Sequence, residues 1–472
     1  MATIGTTANP LRVAIVGSGP AGFYAAGHLQ RCKSRPDLAV QVDVYDRLPT
    51  PWGLVRAGVA PDHPNIKAVS RVYEKTAEHP EFRFYGNVEV GRDITHAELT
   101  ARYHAVIYAV GAQADKRMGI PGEDLPGSWA ATEFVAWYNG HPDYRDLEFD
   151  LSARTAVVVG NGNVAADVAR MLALTREELA LTDVADHALE VLAESQVREI
   201  VVLGRRGPAQ AAFTNPELLE LGEMAHADVY VDPGDAELDP LSRAYIESGA
   251  AHATAKKNVT IVGGYAGRPP AGKPRRIVLR FLVSPLEIVG ADRVEGIRIA
   301  RNELVQDESG AIRPRATDVE ELIPCGLVFR SIGYRGTALD GVPFDERGAV
   351  IPNDRGRVLR AGGEPVPGVF AVGWIKRGPT GIIGTNKRDA QETVDRVLED
   401  LDAGRLPQPS DPDRSSLEAL LRERCPDLVP YAGWAAIDRA EREAGEPHGR
   451  PRVKLCSFDE LLEASRAATP AP

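Results

Sequence analysis

A chain of 472 residues, 43% hydrophobic and 26% charged, is longer than one ordinary core can fill and is expected to hold two or three domains. It has no apolar run near the ~20 residues that cross a bilayer, and its formal net charge of −12 disfavours nucleic acid as a partner. The polar start lacks the basic region and long apolar stretch of a secretory signal and the arginines of a transit peptide, so a cytoplasmic protein is expected.

In chain order, residues 12–17 form a short apolar run leading into Gly17-x-Gly19-x-x-Gly22 and an apolar helical stretch over 23–29. Strand, tight turn and helix are the frame of a dinucleotide site. Gly17 makes the turn, Gly19 leaves room for a pyrophosphate, and Gly22 lets helix and strand pack closely, with the helix N-terminus facing the phosphates. A second strand, Val40–Tyr45, ends at Asp46. That is about the ~20-residue distance at which an acid meets a ribose hydroxyl. Cys32, Cys325, Cys425 and Cys456 stand far apart, so no C-x-x-C zinc site, iron–sulfur run or redox dithiol can be written.

A second such unit begins at Thr155–Val159, which runs into Gly160-x-Gly162-x-x-Ala165 and a helix through Ala169 and Leu172. Residues 173–197 read as a helical insertion before the next strand, Glu199–Leu203. Where a site for NAD would carry an acid, this strand is followed by Gly204-Arg205-Arg206. Paired guanidiniums suit a 2′-phosphate, which favours NADP(H). Apolar runs at 276–283 and 294–300 suggest an antiparallel meander, and 106–111 and 327–333 are apolar strands ending in glycine that read as hinges.

Towards the C-terminus, a strand over 369–372 leads through Gly373-Trp374 to a third glycine loop, 378–386, and an amphipathic helix over 389–401. The order of motifs predicts an α/β fold of two Rossmann-like dinucleotide-binding domains, one inserted into the other. Residues 1–112 and 327–472 are expected to form the outer domain and 113–326 the inserted one. The Pro-rich 407–413 reads as a linker to a tail.

The segments VAIVGSGPAGFYAA, YDRLPTPWGLVRAGVAPDHPNIK, FYGNVEVGRDI, VVVGNGNVAADVARML, VLGRRGPAQAAFTNPELLEL and GWIKRGPTGIIGTNKRDA together resemble the adrenodoxin-reductase-like ferredoxin–NADP reductases of mitochondria and actinobacteria. The likeness spans nearly the whole chain, and WAAIDRAEREAGEPHGRPRVK resembles the actinobacterial members in particular. It implies FAD in the outer domain and NADP(H) in the inserted one. Ala21, Asp46, Leu54, Val90, Trp374, Gly381, Ile382 and Ile383 match family positions that contact FAD. Asn161, Gly162, Asn163, Val164, Arg205, Arg206, Glu217 and Gly381 match those around NADP, and His63 and Glu220 match polar residues near the nicotinamide. Two departures stand out: Asp46 replaces the Glu of mitochondrial members, and Leu219 replaces an Arg common in relatives.

The activity implied is hydride transfer from NADPH to FAD, followed by single-electron transfers to a separate iron–sulfur ferredoxin, reversible in principle. Lys273, Arg275, Arg276, Arg205, Lys376 and Lys387 are candidates for a basic docking face towards an acidic ferredoxin. The rivals are a flavin monooxygenase or oxidase, which oxygen consumption without ferredoxin would reveal, and a non-catalytic binding subunit, against which the intact glycines and arginine pair argue.

Overall fold

Leu11, Val13 and Ile15 alternate with Ala14 and Val16 along the strand Leu11–Val16, and both sets are buried. A strand apolar on both faces belongs in the middle of a parallel sheet covered on two sides. The computed structural model, which describes residues 3–468, places it there. Its parallel neighbours are Val40–Tyr45 and Ala105–Tyr108, with Val13 level with Val42 and Ala105. Phe82–Tyr85 and Pro365–Ala371 extend the sheet, and the short antiparallel strands Arg357–Leu359 and Asn353–Asp354 finish one edge, making seven strands. On one face Leu11, Val13 and Ile15 pack with Phe23, Ala26, Val394 and Val397 from the helices Pro20–Gln30 and Thr385–Asp402. On the other, Ala14 and Val16 join Tyr45, Tyr108, Leu417 and Leu421.

The chain divides into two compact units, Met1–Ala114 with Gly333–Pro472, and Asp115–Ile332. The strand Leu327–Arg330 lies parallel to Thr155–Val159, inside the second unit. The return crossing therefore falls after Ile332, rather than before residue 327 as the reading of 327–333 as a hinge implied.

The second unit is built on six parallel strands in the order Ser128–Ala130, Leu327–Arg330, Thr155–Val159, Glu199–Leu203, Arg275–Arg280 and Ala227–Val231. The run at 276–283 is thus not the start of a meander. Its apolar centre, Ile277 to Leu279, is buried between two parallel neighbours, and the chain turns at Leu282, whose φ is +55°. The meander follows, as Val283–Val289, Gly296–Gln306 and Ile312–Pro324. Its Ile297, Ile299 and Ile323 pack against Val157, Val159, Val201 and Val278 of the parallel sheet. The expected insertion at 173–197 contains the helices Arg176–Leu179 and Asp186–Ala193.

The Pro-rich stretch is not a free linker. Leu406 is buried, Asp411 donates its N–H to the carbonyl of Ala101 at 3.0 Å and pairs with Arg102, and Asp413 caps the helix Arg414–Arg424. The helices that follow, Tyr431–Gly445 and Phe458–Ser465, put Trp434, Ile437 and Leu461 into the first unit's core. Prolines that read as a boundary serve here to route the chain across a surface to which it is hydrogen-bonded.

Candidate cofactor sites

The first glycine turn is shaped by what its Cβ atoms would strike. Gly17 has φ +103°, and a Cβ there would lie 2.5 Å from the carbonyl oxygen of Ala109; at Gly22 it would lie 2.2 Å from the carbonyl oxygen of Gly17. Gly19 is different, since nothing stands within 4 Å of its Cβ position. That open space fronts the N-terminus of the helix Pro20–Gln30, which has no side-chain cap and begins with a proline. Uncapped N–H groups and a helix dipole over a gap are the arrangement that takes a diphosphate. The residues present therefore fit a dinucleotide.

Asp46 locks this turn. Its carboxylate accepts the Ser18 N–H at 2.9 Å and the Ser18 hydroxyl on one oxygen, and the Leu48 N–H at 3.0 Å on the other. Burial pushes its pKa up, and these bonds from Ser18 and Leu48 oppose the push. The next segment closes over the turn: Trp52, at φ +83°, donates its N–H to the carbonyl of Ser18 at 2.9 Å. A Cβ on Gly53 would come 3.0 Å from the Cα of Gly19. Leu54 opens the short helix Leu54–Ala57 and is exposed. Val90 is half-buried and bridges to Ile94, and its tie to the turn is indirect, through Val88, which donates to the carbonyl of Asp46 at 2.9 Å.

The third glycine loop reaches the same place through Gly373, where a Cβ would stand 2.7 Å from that of Ala21. Residues 374–377, between the strand and the glycine loop, form a short helix, and the following long helix starts at Thr385, earlier than its apolar pattern indicated. Trp374 is half-buried, donates from Nε1 to the carbonyl of Thr380 at 3.2 Å, and its ring is tilted on Tyr334 at 5.3 Å. Gly381 has φ +80°, and a Cβ there would meet the Thr385 side chain at 2.6 Å. Ile382 is exposed at the loop tip and donates its N–H to Thr385 Oγ1 at 3.1 Å, while Ile383 packs against the core. His63 is half-buried and precedes the short helix Pro64–Lys67, its carbonyl accepting the N–H groups of Ile66 and Lys67.

In the second unit Gly160, at φ +129°, leaves no room for a Cβ, which would lie 2.1 Å from the carbonyl oxygen of Ser331. Gly162 precedes the uncapped helix Asn163–Ala173. Gly162 bridges to Ala212, Asn161 lies across Gly204, and Asn163 exchanges hydrogen bonds with Thr214 at 2.8 and 3.3 Å. The turn is thereby fastened to the segment after Arg206, a link that sequence spacing does not announce. Val164 is half-buried in the first turn of the helix.

Arg205 is exposed and Arg206 half-buried, and neither side chain has a carboxylate partner among the described residues. Burial first, then the charges of Arg205 and Arg313, pull the Arg206 guanidinium below its usual pKa. Arg313 is paired with Asp307 at 2.9 Å, so the charge left uncompensated is that of Arg205 and Arg206, and it favours an incoming anion. Glu217 and Glu220, on the helix Asn215–Leu221, are differently placed, since buried Arg170 reaches them at 3.5 and 3.3 Å and Asp167 at 2.9 Å. Arg170 was missed in the sequence; its only signal there is an acid three positions earlier on the same helix.

The expected basic face is largely spent on internal contacts. Lys376 is buried between Asp389 and Glu392, at 3.2 and 2.7 Å, Arg276 pairs with Glu199, Arg275 donates to the carbonyl of Leu174, and Lys273 donates to that of Met224. Of the six, Arg205 and Lys387 keep charged ends with neither a carboxylate nor a carbonyl partner among the described residues. The cysteines are all free thiols, and burial pushes Cys325 up to about 12 and Cys425 and Cys456 up to about 11.

Residues 11–202 match the family model of the pyridine nucleotide-disulphide oxidoreductases. The chain is 52% identical over 452 residues to the NADPH-ferredoxin reductase FprA of Mycobacterium leprae, covering 95% of this chain and 97% of the relative. It is 43% identical over 476 residues to the mitochondrial NADPH:adrenodoxin oxidoreductase of Salvelinus fontinalis, covering 98% and 92%. The chain belongs to the adrenodoxin-reductase-like ferredoxin–NADP reductases. Within that family, the structure of Mycobacterium tuberculosis FprA in complex with NADPH is similar to it at a TM-score of 0.91 and 50% identity, over 97% of this chain and 100% of the other. Both of the chain's glycine turns are intact, as binding two nucleotides requires. Among the described residues, no helix is long and apolar enough to cross a membrane.

Proposed function

We propose that this chain is an FAD-dependent NADPH:ferredoxin oxidoreductase of the cytoplasm, holding FAD in the first unit and NADP(H) in the second. The observation that carries the reading is the presence, in a chain similar end to end to NADPH-ferredoxin reductases, of two uncapped glycine-turn helices and an arginine pair without acids. The flavin supplies the chemistry, taking two electrons as hydride from a nicotinamide and releasing them singly to an iron–sulfur centre.

The protein's own part is binding and orientation. The N–H groups after Gly19 would receive the FAD diphosphate, Asp46 would hold the turn and serve the ribose, and Leu54, Val90, Trp374 and the loop Gly381, Ile382 and Ile383 would line the remainder. Asn161, Gly162, Asn163 and Val164 would receive the NADP diphosphate, Arg205 and Arg206 its 2′-phosphate, and Glu217 would stand near the nucleotide. His63 and Glu220 each match a polar family position near the nicotinamide, and within the second unit Arg170 sets the orientation of Glu220.

NADPH-driven cytochrome c reduction by the purified yellow protein, with and without added ferredoxins and with NADH as control, tests this function. Strong stimulation by a ferredoxin and preference for NADPH are expected. Activity indifferent to every ferredoxin would sink the assignment.

A further inference from the structure

The C-terminal helices hold residues 52–56 through one buried carboxylate. Glu441, on Tyr431–Gly445, is 0% exposed. It receives Arg56 in a two-pronged contact, one prong at 2.8 Å, as well as Arg452 Nη1 at 2.9 Å and the backbone N–H of Leu455 at 2.9 Å. Arg452 in turn meets Asp438 at 2.7 Å, an acid that Arg442 also pairs with at 2.7 Å. Burial pushes the Glu441 carboxyl up, but Arg56 and Arg452 outweigh it and hold its pKa below the usual value. The same tail takes hold of Arg56 at its other end, where Lys454 Nζ donates to the Arg56 carbonyl at 3.3 Å. The Arg56 guanidinium also lies over Trp434 at 5.5 Å, and Trp434 meets Trp52 edge-on at 4.8 Å.

On its opposite side this segment touches the glycine turn, through the Trp52 N–H on Ser18 and the approach of Gly53 to Gly19. Trp52 holds a left-handed φ of +83° that a bulky side chain adopts only when its surroundings over-determine it. The ring contact with Trp434 and the fork on Arg56 are such surroundings. A bidentate guanidinium–carboxylate pair fixes direction as well as distance, which an apolar contact does not.

We propose that Glu441 is a positioning residue for FAD: by fixing Arg56 it holds residues 52–56 against the glycine turn, so that flavin retention depends on the C-terminal helices. The proposal rests on the reading that FAD occupies the Gly17 to Gly22 turn. It gives the tail, which the reductase reading leaves without a role, a function at the cofactor.

The test compares holoenzyme variants at 25 °C by the dissociation constant of FAD, the visible spectrum of the bound flavin and thermal unfolding. Glu441→Gln keeps the size and removes the charge; it is expected to raise the FAD dissociation constant about tenfold or more and to shift the flavin spectrum. Glu441→Asp should recover part of the affinity. Leu421→Ala, a cavity in the core on the other face of the sheet, should lower the unfolding temperature without either flavin effect. Glu441→Gln with wild-type FAD affinity, or with a change no larger than that of Leu421→Ala, overturns the proposal. Should Glu441→Gln fail to fold, Arg56→Lys, which keeps the charge but loses the fork, serves instead: a several-fold rise in the constant supports the proposal and an unchanged constant overturns it. Gly19→Leu separates the two levels. Full FAD binding by that variant removes the underlying site, whereas FAD loss there with retention in the Glu441 variants removes the positioning role alone.

Discussion

Arg170, on the helix that opens at the second glycine turn, reaches Glu220 at 3.3 Å and Glu217 at 3.5 Å on a neighbouring helix while pairing with Asp167 on its own. Its side chain is 2% exposed, so the guanidinium is committed to these acids. Removing one partner of a buried ion pair costs roughly 3–5 kcal/mol, because the remaining charges lose their compensation. Arg170→Met is therefore expected to lower the unfolding free energy by about 3 kcal/mol and to raise the KM for NADPH. Glu220→Gln, which leaves Arg170 its other two acids, should change stability much less. Denaturant unfolding and steady-state kinetics on the two variants check both statements, and equal stability loss in the two would refute the ranking.

Arg205 and Arg206 are the pair proposed to set the coenzyme preference. A hydrogen bond to a charged group contributes ~1.5–3 kcal/mol, so Arg206→Ala should raise the KM for NADPH by about tenfold or more and leave that for NADH nearly unchanged. The exposed Arg205 should contribute less, since solvent screens it. Binding of 2′,5′-ADP, compared with 5′-AMP, isolates the phosphate. Parallel losses for both ligands would remove the pair from the 2′-phosphate site.

Gly381 matches family positions at both FAD and NADP, so a side chain there is expected to obstruct the approach of nicotinamide to flavin. The structure adds a local reason, a φ of +80° together with Thr385 2.6 Å from the missing Cβ. A left-handed alanine costs roughly 1–2 kcal/mol. Gly381→Ala is thus expected to slow NADPH-driven flavin reduction while leaving FAD content largely intact, with only part of the rate restored by adding Thr385→Ser. Stopped-flow bleaching of the flavin and the ratio of flavin to protein absorbance measure the two effects. Loss of FAD instead would count against the assignment of this loop to hydride transfer.

The parts of the molecule legible in the sequence are those dictated by local geometry. Gly17, Gly22 and Gly160 must lack a side chain because a backbone oxygen stands within 2.5 Å of each Cβ position, and such turns carry the same signature wherever they occur. Strands such as Val40–Tyr45 and Glu199–Leu203 are apolar enough to be bounded correctly. Partnerships between distant segments were not legible. Nothing near Arg56 names Glu441, 385 residues away, and a buried Lys376 reads in sequence like a surface lysine. Arg275–Arg280 was misplaced for a related reason: a short apolar strand fits a parallel sheet or a meander equally well, and only its neighbours decide.

His104 supplies a pH dependence that is separate from the cofactors. Its Nδ1 accepts the N–H of Arg12 at 3.0 Å, and burial, with the charge of Arg12 adding, lowers its pKa from 6.5 to about 4. A histidine whose folded pKa is depressed binds its proton in the unfolded chain first, so stability falls as the pH drops from about 6.5 to about 4 and is level below that. The loss amounts to roughly 3 kcal/mol at most. His104→Asn places a neutral acceptor near the position of Nδ1 and cannot take up the proton. Urea unfolding of the two proteins at several pH values should show the wild type losing more stability than the variant across that window. Identical slopes would mean that other groups govern the acid limb.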